Sequence, residues 1–188
     1  MEKALIVVDY QYDFVADEGK LTAGKPAQDI ESRIAELVEA MKGKGDYKGV
    51  VFTYDCHYTG DFENNEHPEG AVFPAHCIEG EEGYHYYKHL NDYENKENTA
   101  IEFIKKRGYA LDSQTVKRLV AEYDEFMFAG VVTDICVLQN VIAFYNEAVN
   151  SGKNVKITVD SKACASFAPE REEFSLKYMK EVLGVEIL

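Results

Sequence analysis

Cys136, within residues 129–137, has the surroundings expected of a catalytic nucleophile. The segment begins as an apolar run, continues through small and turn-forming residues, and places Cys136 where a helix is predicted to begin. The positive end of a helix macrodipole favours the thiolate form of a cysteine in the first turn. Backbone N–H groups without partners at that end can bind a developing oxyanion. One short segment therefore offers a nucleophile and an anion site.

Asp9 follows the first apolar run of the chain, residues 5–8. A carboxylate at the end of a strand can face an active site or cap a turn, and its position alone leaves both interpretations open. Phosphatases of the haloacid dehalogenase type require two aspartates separated by one residue at this point. The chain has Asp9 and Asp13 instead, which disfavours that class.

Asp55 and His57 follow the second apolar run and form a candidate metal pair. Residues two apart in extended chain point to the same side, so both can bind one ion. Cys56 and Cys77 suggest a structural zinc site. However, Cys56 points away from its neighbours, and such sites prefer cysteines with two to four residues between them. A carboxylate with imidazoles leaves ligand positions open for water and substrate, which suits catalysis.

A catalytic metal at this pair needs a third ligand. The candidates are the remaining histidines, His67, His76, His85 and His89. A proline stiffens the approach to His76, in the order Phe73, Pro74, Ala75, His76. Each of these residues is more often a plain surface histidine than a ligand, so spacing alone leaves the choice open.

A pair of lysines, Lys105 and Lys106, follows a short apolar stretch at residues 103–104. A run of charge is usually a solvated face of a protein. The alternative places one of these lysines against Asp9 and the developing oxyanion of a reaction at Cys136.

Apolar runs rich in β-branched residues alternate with helical periodicities along the chain. The runs span residues 5–8, 50–54, 126–132, 155–159 and 184–188. Such runs fit strands buried on both faces of a sheet, and the alternation predicts a three-layer αβα fold with a central, mostly parallel sheet. Active sites of these folds lie beyond the carboxyl ends of the strands. The irregular excursion at about 56–98 is expected to be functional within a single domain, 1–188.

Size and charge limit the classes of partner. The chain has 188 residues, of which 46% are hydrophobic, and a formal net charge of −14 at pH 7. This charge disfavours nucleic acid and anionic membrane surfaces, and no apolar run approaches membrane-spanning length. Four scattered cysteines and a very short apolar N-terminus indicate a cytoplasmic protein without a disulfide framework.

Taken together, these residues resemble the nicotinamidase branch of the isochorismatase-like cysteine hydrolases, over nearly the whole chain. The matching segments are residues 9–17 with 19–24, the metal pair Asp55-Cys56-His57, the later Phe73-Pro74-Ala75-His76, and the nucleophile segment 130–137. The resemblance implies a Rossmann-like fold. It selects His76 over His67 as the third metal ligand, and it places Glu69 near the metal, directly or through a water.

The resemblance also implies roles for further residues. The catalytic set is Asp9, Lys105 and Cys136, with Lys106 as the alternative lysine. A cis peptide between Val131 and Val132 would aim the Val132 N–H beside that of Cys136 to form the oxyanion hole. Phe14, Phe73 and Tyr109 are candidates to contact the substrate ring, and Gly108 stands where an aromatic residue often lines the pocket.

The function implied is metal-dependent deamidation of nicotinamide to nicotinate and ammonia, a step of NAD salvage, by a thioester mechanism. Zinc is the first expectation for the metal, with manganese or iron also suitable, and the family often forms homo-oligomers. The alternative is a family member that hydrolyses another small amide, carbamoyl or ureido compound. Isochorismate hydrolysis and a non-catalytic receiver-like module are disfavoured, because neither needs the cysteine at 136.

Overall fold

The fold is a single six-stranded sheet in which every neighbouring pair of strands is parallel. A computed structural model of the chain describes residues 2–43, 47–63, 67–95 and 100–188. Its strands are β1 (Lys3–Val8), β2 (Val50–Asp55), β3 (Glu102–Lys106), β4 (Glu125–Val131), β5 (Lys156–Ala165) and β6 (Glu186–Ile187). They lie in the order β3-β2-β1-β4-β5-β6. The predicted parallel α/β fold is confirmed.

Helices cover both faces of the sheet. They are α1 (Tyr12–Val15), α2 (Lys25–Asp29), α3 (Glu31–Met41), α4 (Asn91–Glu94), α5 (Ser113–Glu122), α6 (Leu138–Ser151) and α7 (Pro169–Leu183). Alternate side chains of β1 serve two separate hydrophobic cores, as expected for a strand buried on both faces. Leu5 and Val7 pack in the core that includes α3, whereas Ile6 and Val8 pack in the core that includes α5, α6 and α7.

The order of the strands reverses between β1 and β4, which places a crevice beyond their carboxyl ends. Ligands of doubly wound sheets bind at this switch point. Gly130 makes the close approach of the two strands possible, because a Cβ there would lie 2.1 Å from the carbonyl oxygen of Val8 and its φ is +118°. Asp9 follows β1 and Cys136 follows β4, so the crevice lies between the two candidate catalytic residues.

The excursion between β2 and β3 folds back onto the carboxyl ends of β1 and β2. The amide of Gln11 joins these parts: its Oε1 accepts from Asp55 N at 2.8 Å, and its Nε2 donates to the carbonyls of Asp55 at 2.9 Å and Tyr84 at 2.8 Å. The Asp13 carboxylate accepts from the backbone N–H groups of Lys20 at 3.0 Å and Cys77 at 2.8 Å. Residues 64–66 and 96–98 of the excursion lie outside the described residues.

The sequence prediction missed two elements, and one of them, β3, carries Lys106. The prediction did not include β3 or α5. Strand β3 lies at the edge of the sheet and three of its five residues are charged, so it lacks the apolar run that marks the central strands.

Among the described residues, no helix combines the length and apolar composition needed to cross a membrane. The assignment of the whole chain to one domain stays a prediction.

Candidate active site

Three buried side chains with complementary chemistry meet at the switch point. Nζ of Lys106 lies 2.7 Å from Oδ2 of Asp9 and 3.7 Å from Sγ of Cys136. The same ammonium lies 3.3 Å from Oδ1 of Asp55 and donates to the carbonyl of Gly108 at 3.0 Å. A cation thus lies among a carboxylate, a thiol and a metal-candidate aspartate, which is an arrangement suited to nucleophilic catalysis.

The structure corrects the choice of lysine. Lys105 was the residue expected beside Asp9, but its side chain is exposed and pairs with Glu79. Strand pairing explains the difference, because Lys106 is the partner of Asp55 in the β2–β3 register. Side chains alternate along a strand, so a shift of one residue sends Lys105 outward and Lys106 into the site.

Burial sets the protonation of the nucleophile and its neighbour. It raises the pKa of the Cys136 thiol well above its usual range, although Lys106 acts in the opposite direction. Burial also raises the pKa of Asp9, against the lowering influence of Lys106 and Thr53. In the resting protein burial therefore opposes the thiolate form that the helix terminus is expected to favour. Asp9 is placed to take the proton of this thiol when it reacts, since both side chains contact the ammonium of Lys106.

The nucleophile lies on a π-helical turn, Thr133–Val137, that leads from β4 into α6. Nδ2 of Asn140 donates to the carbonyl of Cys136 at 2.8 Å and to that of Tyr109 at 3.2 Å. Asp134 anchors the other side of the turn, since its carboxylate accepts from the Ser166 hydroxyl and pairs with Arg171. The turn is thus tied to the residue that follows β5, to α7 and to the segment after β3.

The peptide between Val131 and Val132 is cis, as the sequence resemblance implied. Val132 lines the same cavity as Cys136. The role of the two backbone N–H groups as an oxyanion hole stays a prediction.

Four buried side chains form a candidate metal centre next to the lysine. One donor atom from each of Asp55, His57, Glu69 and His76 lies within 4.8 Å of every other. Oδ2 of Asp55 lies 3.2 Å from Nε2 of His57 and 3.2 Å from Nε2 of His76. Glu69 is slightly farther, with Oε2 at 3.8 Å and 3.7 Å from the same two nitrogens. Asp55 therefore contacts Lys106 through one oxygen and the histidines through the other.

His76 has the orientation that a metal ligand requires. Nδ1 of His76 lies 2.7 Å from the carbonyl of Pro74, so this nitrogen carries a hydrogen, and in the neutral imidazole Nε2 turns its lone pair toward the cluster. A lone pair facing a carboxylate oxygen at 3.2 Å is favourable only with a cation between them. Two imidazoles with one or two carboxylates suit zinc, manganese or iron. The residues present therefore fit a divalent transition metal.

The remaining histidines do not join the cluster. Nε2 of His67 lies 2.9 Å from the carbonyl of Arg107 and must donate to it, while Nδ1 accepts from Glu69 N at 3.3 Å. Both nitrogens of His67 are thus occupied in holding the turn that carries Glu69. His85 and His89 pair with Glu94 and Glu31 at the surface. The selection of His76 over these residues agrees with the geometry.

A small cavity opens onto the thiol and the metal centre. Its walls are mainly apolar, and they include all three residues expected to contact the substrate, Phe14, Phe73 and Tyr109, together with Leu21, Val132, Ile135 and Phe167. Asp55, Glu69, His76 and Cys136 complete it. The ring of Phe14 packs 5.4 Å from that of His76, centroid to centroid. A flat, ring-bearing molecule in this cavity would contact the thiol and the metal centre together.

A protein-family model, that of the isochorismatase domain, matches residues 3–187 of the chain. The chain belongs to the isochorismatase family. An isochorismatase family protein PncA of Bacillus subtilis (strain 168) is 37% identical over 192 residues, which cover 100% of this chain and 99% of that protein.

Solved structures of isochorismatase-family enzymes share the fold over the whole chain. The nicotinamidase/pyrazinamidase PncA from Bacillus subtilis has a TM-score of 0.85 at 35% identity, covering 100% of this chain and 99% of that one. The pyrazinamidase of Pyrococcus horikoshii, solved in complex with zinc, has a TM-score of 0.78 at 25% identity with the same coverage.

Sequence reasoning missed several residues of this isochorismatase-family site. Thr53 and Phe167 lie outside the segments that carry the family resemblance, whereas Leu21 and Ile135 lie within segments 19–24 and 130–137 but were assigned no role. Thr53 contacts Asp9, and the other three line the cavity. For Thr53 a signal was available, because residues 51, 53 and 55 of a strand share one face and Asp55 had already been assigned to the site.

Proposed function

We propose that this protein hydrolyses the carboxamide of nicotinamide to nicotinate and ammonia, with Cys136 as nucleophile. The observation that carries the proposal is that Lys106 contacts both Asp9 and Cys136, and that Cys136 lines an aromatic-walled cavity together with candidate metal ligands. The related enzymes of Bacillus subtilis and Pyrococcus horikoshii, named for nicotinamide and pyrazinamide, support the same substrate class.

The first half of the reaction forms a thioester. Asp9 takes the proton of the Cys136 thiol while the sulfur attacks the amide carbon, and the carbonyl electrons move to oxygen. The N–H groups of Val132 and Cys136 would hold this oxyanion, with Lys106 nearby. As the oxyanion collapses, the C–N bond breaks and Asp9 returns its proton to the leaving nitrogen. Ammonia leaves and an acyl group remains on Cys136.

The second half regenerates the enzyme. Asp9 takes a proton from a water that attacks the thioester carbon. The C–S bond then breaks and the sulfur regains the proton from Asp9, which releases nicotinic acid; the acid loses its carboxyl proton to solvent and becomes nicotinate. Lys106 stays protonated throughout, because the negative charges of Asp55 and Asp9 raise its pKa well above the usual range despite the opposing effect of burial.

We assign the metal to Asp55, His57 and His76, with Glu69 bound directly or through a water. When bound, a divalent ion would orient the pyridine nitrogen and supply a water ligand. Zinc remains our first choice on the basis of the donor set and of the zinc complex of the Pyrococcus relative. We further propose that the protein is a homo-oligomer and acts in the cytoplasm. We also propose that it does not bind nucleic acid, because its net charge of −14 would repel the phosphate backbone.

The test is ammonia release from nicotinamide by protein supplied with zinc, manganese or iron in turn. Cys136→Ala should abolish ammonia release. Cys164→Ala removes a different buried thiol, one that lies on β5, and should retain at least about a third of the wild-type rate. Absence of release with every metal would refute the proposal. Release from other small amides but not from nicotinamide would favour the alternative substrate class.

A further inference from the structure

The hydroxyl of Thr53 holds one oxygen of the Asp9 carboxylate. Oγ1 of Thr53 donates to Oδ1 of Asp9 at 2.6 Å and accepts from the backbone N–H of Asp9 at 3.2 Å. Both residues are fully buried, so water does not compete for these bonds. Because the hydroxyl accepts from the backbone, its single hydrogen is committed to Oδ1.

The second oxygen of Asp9 has a different neighbour. Oδ2 lies 2.7 Å from the ammonium of Lys106, which in turn lies 3.7 Å from the sulfur of Cys136. The two oxygens are therefore inequivalent: Oδ1 is occupied by a neutral donor, and Oδ2 faces the side of the lysine and the nucleophile. A carboxylate that carries a proton twice in one cycle benefits from a fixed orientation in both protonation states.

We propose that Thr53 is a positioning residue that confines the proton carried by Asp9 to Oδ2. The inference rests on the proposed function. When the Cys136 S–H bond breaks, the proton arrives at Oδ2, because Thr53 holds the carboxylate with Oδ2 beside the ammonium that contacts the sulfur. It leaves from the same atom to the amine nitrogen as the C–N bond breaks. Loss of the hydroxyl frees the carboxylate to rotate and to accept the proton on the oxygen that faces away from the reaction.

The main test compares Thr53→Val, which keeps the shape of the side chain and loses the hydroxyl, with Thr53→Ser, which keeps the hydroxyl. We expect Thr53→Val to lower kcat for nicotinamide by about tenfold or more, with KM within about threefold of wild type, since the oriented proton transfer contributes to the chemical step. Thr53→Ser should restore kcat to within about threefold. Thr158→Val, the same change at a buried position of β5, is the matched control and should leave both constants within about twofold.

Bound metal and the urea midpoint are measured for every variant, since Thr53 is two residues from Asp55. If Thr53→Val does not fold, Thr53→Ala provides the same comparison with Thr53→Ser. The proposal is wrong if kcat of the variant without the hydroxyl stays within threefold of wild type, or if Thr53→Ser loses as much. Wild-type protein that releases no ammonia would instead overturn the proposed function, so the two failures are distinguishable.

Discussion

Nζ of Lys106 lies 2.7 Å from Oδ2 of Asp9, and both side chains are buried. The ion pair is not isolated, because the same ammonium also contacts Asp55 of the metal cluster and the sulfur of Cys136. A single cation thus balances the carboxylate that moves the proton and a carboxylate that binds the metal. The nucleophile and the metal centre are electrostatically connected through this one side chain.

Lys106→Met should abolish activity and destabilise the fold, whereas Lys105→Met should do neither. Removal of Lys106 leaves two buried carboxylates without their cation, a loss of about 3–5 kcal/mol in the free energy of unfolding. Lys105 forms an exposed pair with Glu79, worth about 1 kcal/mol at most. Ammonia release and urea unfolding of the two variants give the comparison. Equal losses in the two variants would show that the assignment of the lysine is wrong.

His76→Ala should lower the metal content of the purified protein and weaken metal binding by at least about tenfold, because it removes an imidazole donor. His89→Ala is the matched control, since His89 is exposed and pairs with Glu31 away from the cluster. Elemental analysis measures bound metal, and titration after removal with a chelator measures the affinity. Full metal content in His76→Ala would contradict the ligand assignment.

Gly83→Ala should destabilise the protein and weaken metal binding. A Cβ at Gly83 would lie 2.1 Å from Oδ2 of Asp13, the oxygen that accepts the N–H of Cys77 beside His76. We expect a loss of about 1–3 kcal/mol, the usual result of overpacking. Gly60→Ala adds a methyl group where no atom lies within 4 Å and should change the stability by less than about 0.5 kcal/mol. Urea unfolding is the measurement, and a neutral Gly83→Ala would disprove the contact.

Asp112→Ala should remove the N-cap of α5, at a cost of about 1 kcal/mol at pH 7. The Asp112 carboxylate accepts from the hydroxyl and N–H of Thr115 and from the N–H of Gln114, which hold its pKa below the usual value. A lowered pKa in the folded state means that the unfolded chain binds more protons. The contribution is therefore fully present above about pH 4, the unfolded pKa, and disappears as the pH falls through the lower folded pKa.

The check is the difference in the free energy of unfolding between wild type and Asp112→Ala, measured from pH 7 down to pH 3. Asp112→Asn supplies a cap that does not titrate, so it should keep most of the stability with a flatter dependence on pH. A wild-type advantage that grows as the pH falls would have the opposite sign to this prediction.

Phe73→Ala should raise KM for nicotinamide about three- to tenfold, because an aromatic contact contributes about 0.5–1.5 kcal/mol. Val72, the adjacent residue, is 70% exposed and is not among the residues of the cavity wall, so Val72→Ala should leave KM unchanged. Initial rates at varied nicotinamide concentration measure both variants. An unchanged KM in Phe73→Ala would remove this ring from the substrate site.

The central strands could be predicted from the sequence, because buried parallel strands leave continuous apolar runs. Asp9, Asp55 and Cys136 then follow from the rule that sites lie beyond the carboxyl ends of such strands. The proximity of the Asp55 and His57 side chains could be predicted from the two-residue period of extended chain alone. Selecting His76 from the other histidines required the family motif, since spacing does not encode a third ligand that arrives through a loop.

The choice between Lys105 and Lys106 depended on β3, an edge strand that leaves little hydrophobic pattern. Without the register between β2 and β3, the side of the sheet that each lysine faces is undetermined. The orientation of α7 shows the same difficulty. The periodicity predicts one buried face made of Phe174, Tyr178, Met179, Val182 and Leu183. Met179 is fully buried as predicted, yet Phe174 is 66% exposed and Val182 is 58% exposed. Tertiary packing, rather than periodicity, decides which face a helix buries.

The close approach of β4 to β1 at Gly130 has a consequence for the order of folding. During synthesis, the base Asp9 and the whole metal cluster emerge before β4 exists, so no nascent chain that ends before β4 can pair thiol with base. The site is completed only when β4 pairs with β1, which lies far from it in the sequence. Long-range pairing of this kind is a slow step in folding. We therefore expect the thiol to become shielded from alkylating reagents late in refolding, after the β1–β2 half of the sheet is protected from hydrogen exchange.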